Sequence, residues 1–347
     1  MNAVKSITIV GGGLAGLTLG IGLRRLQVPV TIWEAGTYPR HRVCGEFVSG
    51  RGQDVLNRLG LTQELKKAGA TLSSTARFFL GKAKSPVRRV APPALCLSRF
   101  LMDEIFAKRF RAEGGELREN ARFESKAAAE GIVWTSGRRI QSTERGWRWF
   151  GLKIHAQGVE LGADLEMHGS TKGYVGLCRL PHGEVNVCGL FRTRRGAHPS
   201  GRHAKDLLKG TPGTRLHEYM ASAVMNDDSF CSVAGLPLQP QRAAEQNECR
   251  LGDALTMIAP ATGNGMSMAF EAAEIAIDPL SAYARSEISW SEARQAIARA
   301  CDGAFRQRLA WSKLLQWMMF SPMLQGGAGS LVLRSGWLWH LLFTRTR

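Results

Sequence analysis

No stretch of the 347 residues reaches the roughly 18 consecutive apolar residues that a membrane-spanning helix needs. Nor does a leader's apolar core open the chain, because Ile7-Thr8-Ile9-Val10 runs straight into glycines. We therefore expect a cytoplasmic protein, at most peripheral to the inner face of the membrane. The seven cysteines are scattered, with no C-x-x-C and no Cys/His ligand spacing, which excludes a zinc site and points to reduced thiols; no metal is expected. Acidic residues are scarce: 29 Asp+Glu stand against 46 Lys+Arg, a net charge of +17. Such a surface attracts anions, whether nucleic acid, anionic lipid or a phosphorylated cofactor. Basic clusters lie at Lys82, Lys84, Arg88 and Arg89, and again between Arg192 and Lys205. Yet no helix-turn-helix, zinc-finger or RRM signature accompanies them, so nucleic acid is not an expected partner. Charged residues at 22% and hydrophobic ones at 44% exclude a disordered chain.

What is present concentrates at the N-terminus. Ser6 to Val10 reads as a buried parallel strand and runs into Gly11-Gly12-Gly13-Leu14-Ala15-Gly16, a G-x-G-x-x-G turn. Leu17 to Leu26 follow as an apolar helix, and Val28 to Trp33 as a second strand closed by Glu34, 18 residues after Gly16. Gly11 permits the tight turn, Gly13 lets a pyrophosphate approach the backbone, and Gly16 lets the helix pack on the strand. The helix N-terminus offers its free N–H groups to phosphate, and Glu34 can accept both hydroxyls of an adenosine ribose. This strand–turn–helix–strand–acid order is that of a dinucleotide site.

A distant segment selects the dinucleotide. Gly252-Asp253-Ala254 precedes Pro260-Ala261-Thr262-Gly263-Asn264-Gly265-Met266 and a helix through Glu271. Here the chain resembles the FAD-dependent monooxygenase and geranylgeranyl reductase superfamily, flavoproteins of the p-hydroxybenzoate hydroxylase-like fold, through Asp253, Pro260, Gly263 and Gly265. The resemblance implies that Asp253 binds the ribityl side of FAD and that the glycine turn, with Asn264 and Met266, faces the pyrimidine end of the isoalloxazine. A helix dipole there favours an anionic reduced flavin. Pro39-Arg40-His41-Arg42-Val43-Cys44-Gly45-Glu46 is similar to a segment of the reductases, and Ser98-Arg99-Phe100-Leu101-Met102-Asp103 to a stretch whose Arg lies near FAD. Arg42 and Arg99 are accordingly expected at the cofactor, or else as surface charges. Where many flavin hydroxylases carry an Asp-Gly segment that serves NADPH, Ser136-Gly137 stands instead. Only one glycine fingerprint occurs, so the electron donor is NAD(P)H or a separate reductase partner.

The middle reads as antiparallel strands: Trp149 to Ala156, Tyr174 to Cys178 and Glu184 to Leu190, with a turn at Pro181-His182-Gly183-Glu184. His155, Tyr174 and Arg179 are pocket candidates there, though each reads first as a sheet-surface or core residue. After Asp302 no acidic residue remains, while Trp311, Trp317, Trp337 and Trp339 lie among Lys313, Arg334, Arg345 and Arg347, with Gly326-Gly327-Ala328-Gly329 between two segments. This tail suits an anionic membrane surface or the wall of a substrate pocket. We expect an α/β architecture: a Rossmann-like FAD-binding domain (1–145 and 245–300), an inserted antiparallel-sheet substrate domain (146–244) and C-terminal helices (301–347). The resemblance implies an FAD-dependent oxidoreductase. The first reading is a monooxygenase that oxidises an apolar aromatic or lipid-like molecule with O2 through a flavin C4a-hydroperoxide. The alternative is flavin-dependent reduction of isoprenoid double bonds, and charge alone would give a nucleic-acid-binding protein. No catalytic residue is assigned; Cys44, Tyr174 and Asn264 are candidates.

Overall fold

The computed structural model describes residues 3–81, 83–124, 129–140, 146–194, 202–321 and 328–346. The expectations on Lys82, on residues 195–201, on Gly326 and Gly327 and on Arg347 lie outside the described residues.

Two sheets organise the chain. The first is parallel. Strand β1 (Ile7–Val10) lies between β2 (Val30–Trp33) and β8 (Ile132–Trp134), with Ile9 opposite both Ile32 and Val133. β7 (Glu116–Arg118) and β14 (Cys249–Arg250) complete it, in the order β14-β8-β1-β2-β7. Helix α1 (Leu14–Arg25) packs on this sheet and against α7 (Gly265–Ala284). A Cβ on Gly22 would lie 2.3 Å from Ile277 Cδ1, so the absence of a side chain there sets the approach of the two helices. Helices α2 (Arg51–Arg58), α3 (Thr62–Lys67) and α4 (Arg99–Ala112) close the same core, in which Leu17, Ile21, Phe106 and Phe270 are fully buried.

The second sheet has nine strands: β3 (Phe47–Val48), β4 (Thr71–Leu80), β5 (Ala83–Lys84), β6 (Arg88–Cys96), β9 (Trp147–Gln157), β10 (Leu165–Ser170), β11 (Gly173–Arg179), β12 (Val185–Arg194) and β13 (Val224–Ala234). The three strands expected in the middle of the chain form β9, β11 and β12, joined antiparallel. The sheet is mixed, however: β4 pairs parallel with β10, Arg77 opposite Glu166, which brings residues 71–96 into it. Short helices α5 (Arg202–Asp206) and α6 (Arg215–Ala221) cover part of its outer face, with Tyr219 in that core.

Helix α8 (Trp290–Met319) opens on a capping box of Ser289 and Glu292 and is tied to α7 by the buried pair Arg308–Glu271, 2.7 Å from Nη1 to Oε1. Two helices follow, α9 (Ala328–Arg334) and α10 (Gly336–Arg345). The second lays Trp339 on Phe78 of β4 at 5.1 Å between ring centroids, with Phe343 beside it. Among the described residues no helix is long and apolar enough to cross a membrane.

Candidate functional site

A cavity of about 910 Å3 runs between the two sheets, from the β1 glycine turn to the C-terminal helices. At its first end Gly11 adopts φ +109°, and a Cβ there would lie 2.5 Å from Ser136 Cα, so only glycine fits. Gly16 would collide with the Gly11 carbonyl at 2.1 Å, which is how α1 comes so close to the turn. Gly13 differs: a Cβ on it would meet nothing within 4 Å, because this residue faces the cavity together with Leu14 and Ala15. Gly13 is also the N-cap of α1 and supplies no side-chain cap, so the first-turn N–H groups are left to an anion.

Glu34 sits beside this turn. Its carboxylate accepts N–H bonds from Gly12 (2.9 Å) and Gly36 (2.8 Å) and pairs with Arg40 at 2.6 Å. Burial alone would raise its pKa, but the Gly36 N–H and the cations of Arg40 and Arg42 hold it below the usual carboxylate range. Of the four lone-pair positions on the carboxylate, Gly12, Gly36 and Arg40 leave one, on Oε2, for a ribose hydroxyl. Arg42 and Arg99 both line the cavity and both converge on the fully buried Asp103: Arg42 Nε at 3.0 Å, Arg99 Nε and Nη2 at 2.7 and 2.9 Å. Both are thus held at the cavity wall by a shared carboxylate.

The second end is built by the distant segment. Asp253 opens onto the cavity, and the surrounding protein raises its pKa by desolvation against the pull of Arg99 and Arg138. Pro260, Gly263, Gly265 and Met266 line the same end. Gly263 adopts φ +64° and lies against the ring of Phe47. Helix α7 starts at Gly265 with Asn264 as N-cap, again without a side-chain cap. Asn264 is buried; its Nδ2 donates to the carbonyl of Thr346, and its Oδ1 has no partner. The chain terminus thus reaches the glycine turn, a contact that the sequence did not announce.

Between the two ends the wall is apolar and thiol-rich. Leu165, Met167, Leu190, Val233, Leu315 and Met319 line it, with Trp339 and Phe343 of α10 closing one side. Cys44, Cys178, Cys188 and Cys231 also line it. Burial pushes the Cys44 thiol up despite the nearby Arg99 charge, and pushes Cys231 up to about 12, so these are neutral thiols at neutral pH. Tyr174 lines the cavity with its hydroxyl buried and without a partner. Its phenol therefore has a hydrogen bond to give to a bound molecule. His155 and Arg179 do not reach the cavity; Arg179 turns to the Leu161 carbonyl and to Asp164 instead. Sequence reasoning missed His41, Phe47 and Arg138, all on the wall.

No family model matches the chain. Among curated proteins, conditioned medium factor receptor 1 of Dictyostelium discoideum is 27% identical over 146 residues, covering 38% of this chain and 29% of that protein. The chain thus matches under a third of that relative's length. Solved structures are similar throughout. The flavin-dependent brominase Bmp2 superposes with a TM-score of 0.76 at 15% identity, covering 99% of this chain and 93% of its own. A geranylgeranyl bacteriochlorophyll reductase-like protein of Thermoplasma acidophilum gives 0.70 at 15% identity, over 92% and 88%. P. aeruginosa PqsL, in complex with 2-aminobenzoylacetate, gives 0.70 at 15%, over 94% and 99%.

The chain has the fold that these three proteins share. In that fold the features above fit a bound FAD. Two uncapped helix N-termini face one cavity, and Gly13 leaves a place where a side chain would intrude, whereas the expected Asn264 is buried behind the cavity wall.

Proposed function

We propose that this flavoprotein is an FAD-dependent oxidoreductase that oxygenates an apolar small molecule. One observation supports this best: the cavity joins a phosphate-binding helix N-terminus to an apolar compartment, past the N-terminus of α7. Gly11, Gly13 and the first turn of α1 would hold the pyrophosphate, Glu34 the adenosine ribose and Asp253 the ribityl chain. FAD supplies the electrons and the reactivity toward O2. The protein's part is to orient the substrate, by the Tyr174 hydroxyl, and to exclude water, by Trp339, Phe343 and the aliphatic wall. The α7 N-terminus favours negative charge on the ring. Reduction of an isoprenoid double bond is the second reading, supported by the Cys44-Gly45 wall and by the reductase-like neighbour.

Purified protein is expected to be yellow, absorbing near about 450 nm, and to release FAD. Addition of NADH or NADPH separately identifies the donor, and bleaching by neither assigns reduction to a partner protein. Turnover of a lipid-like substrate that stops without O2 supports oxygenation. Turnover that continues anaerobically selects the reductase reading.

We also propose that the tail meets an anionic membrane surface. The inner faces of the last three helices line the cavity, while Trp317, Leu331 and Trp337 stand 65%, 76% and 74% exposed on the outside. Lys313 and Arg334 share that exposed side, and no acid follows Asp302. Each such cation adds up to about 1 kcal/mol on an anionic surface. Changing Trp317, Leu331 and Trp337 together to serine should abolish co-sedimentation with phosphatidylglycerol vesicles while the protein stays yellow. Undiminished binding would remove the tail from the interface.

A further inference from the structure

Five ionisable side chains stand in line behind the cavity wall, and the reading above uses none of them. Glu184, just before β12, keeps 28% of its side chain exposed, and its Oε2 lies 3.0 Å from His155 Nδ1. His155 Nε2 lies 2.6 Å from Glu46 Oε2. Glu46 Oε1 is 3.4 Å from Lys153 Nζ, and Lys153 Nζ is 3.0 Å from His41 Nδ1. Glu46 and Lys153 are completely buried, yet the line meets solvent at Glu184 and the cavity at His41. Buried ion pairs are usually matched or bettered in stability by apolar residues of similar size, so stability alone does not account for this row.

The partners fix the protons. An ammonium only donates, so His41 Nδ1 accepts from Lys153, and the proton of the neutral imidazole sits on Nε2. Burial, together with the charges of Lys153 and His155, holds His41 down to about 4. For His155, burial pulls the other way from Glu184 and Glu46, and the two carboxylates win, so its pKa is raised and the imidazolium donates to both. The hydrogen bond from His155 keeps Glu184 below the ordinary carboxylate range. The remaining neighbours are occupied or neutral. The Arg99 backbone N–H donates to Glu46 Oε1 at 2.9 Å while its guanidinium holds Asp103. Cys188 and Cys231 flank Lys153 in register as neutral thiols, and the Cys44 thiol accepts the Glu46 N–H. Ser229 Oγ accepts the His155 N–H, and the Phe100 ring stacks on His41.

We propose that Glu184, His155, Glu46 and Lys153 form a proton relay that ends at His41, the group that exchanges a proton with the molecule in the cavity. The proposal rests on the oxidoreductase reading, in which protons move with electrons in a compartment closed to water. His41 gives its Nε2 proton to an oxygen of the bound molecule and takes one at Nδ1 from Lys153. Lys153 is refilled from Glu46, and Glu46 from the Nε2 proton of the His155 imidazolium; the ring, now neutral, keeps its Nδ1 proton toward Glu184, and Glu184 takes one proton from water, so the His155–Glu184 pair keeps its net charge. One proton enters, one leaves, and no electron moves. Between turnovers, exchange with water in the open cavity, one proton gained at Nε2 and one lost from Nδ1, restores the starting tautomer of His41.

Two measurements test this on the full-length holoenzyme. In protein labelled with 15N-histidine, ring NMR should show His41 as the Nε2–H tautomer, unprotonated down to about pH 4. Lys153→Met should raise its pKa toward the ordinary value. Reoxidation of the dithionite-reduced protein by O2 takes up protons, and Glu184→Gln should slow it about tenfold at unchanged FAD content. Imidazole in the buffer should restore most of that rate, because a small acid replaces the relay's entrance. An Nδ1–H tautomer, a His41 that titrates near its ordinary pKa, or a Glu184→Gln rate that is unchanged or beyond rescue would each overturn the relay. A colourless protein defeats the oxidoreductase reading instead, and the NMR result still judges the geometry.

Discussion

Gly13→Val should give a folded, colourless protein. The two halves of that expectation have separate causes. Gly13 lies at φ −80° and ψ −175°, extended backbone that valine adopts readily, and a Cβ there meets nothing within 4 Å. The apoprotein therefore keeps its thermal midpoint. The added side chain, however, points into the cavity over the first turn of α1, where the free N–H groups would take the pyrophosphate. Hydrogen bonds to charged groups contribute about 1.5–3 kcal/mol each, so losing two weakens FAD binding by at least about 100-fold. Gly11→Val is the contrast. Its Cβ would lie 2.5 Å from Ser136 Cα at φ +109°, so that variant should fail in folding before cofactor binding is at issue. The check is the ratio of flavin to protein absorbance beside a circular-dichroism melt. A Gly13→Val protein with full FAD content would refute the assignment of the turn.

These two glycines also show what was legible before the structure. The strand–turn–helix–strand–acid order is local, and each of its residues has a backbone reason that the sequence itself displays, so β1, α1, β2 and Glu34 fall where expected. The Asp253–Met266 segment was legible for the same reason, and both segments open onto one cavity. What escaped is long-range. The parallel pairing of β4 with β10 joins Arg77 to Glu166, 89 positions away, and strand alternation says nothing about which distant strand lies alongside. Asp103 was legible only as part of a motif, not as the carboxylate that gathers Arg42 and Arg99 from 61 and 4 residues away. Lys153 escaped for a similar reason. On an isolated strand a lysine reads as the solvent face, but β12 and β13 flank β9 and bury it. A signal was there: Lys153 and His155 share one face of the otherwise apolar run from Trp149 to Ala156, two residues apart, where a solvated face would carry more polar positions. In the tail, α10 gives the cavity Trp339, Leu342 and Phe343 and shows Trp337 to solvent, so the wall expected there is present.

Glu46→Ala should be the most destabilising single change at this site, because Glu46 holds three buried donors at once. Its carboxylate accepts the Arg99 N–H at 2.9 Å, faces Lys153 Nζ at 3.4 Å and takes the His155 proton at 2.6 Å. Removal leaves a fully buried lysine with only a neutral imidazole beside it, and breaking such a pair costs about 3–5 kcal/mol. The sign of the pH dependence follows from His155. Its folded pKa lies above its unfolded value, so the stability it lends is complete below that unfolded value and fades as pH rises through the folded one. Glu46 supplies part of that upward shift. The loss in Glu46→Ala should therefore be larger near pH 6 than near pH 9, measured as the unfolding free energy in urea at each pH. Adding Lys153→Met removes the stranded charge, so the double variant should be more stable than the sum of the single losses, with a coupling of about 0.5–3 kcal/mol for residues in contact. Additive losses, or a Glu46→Ala penalty that does not change between those two pH values, would mean that the three side chains are not acting as one charged unit.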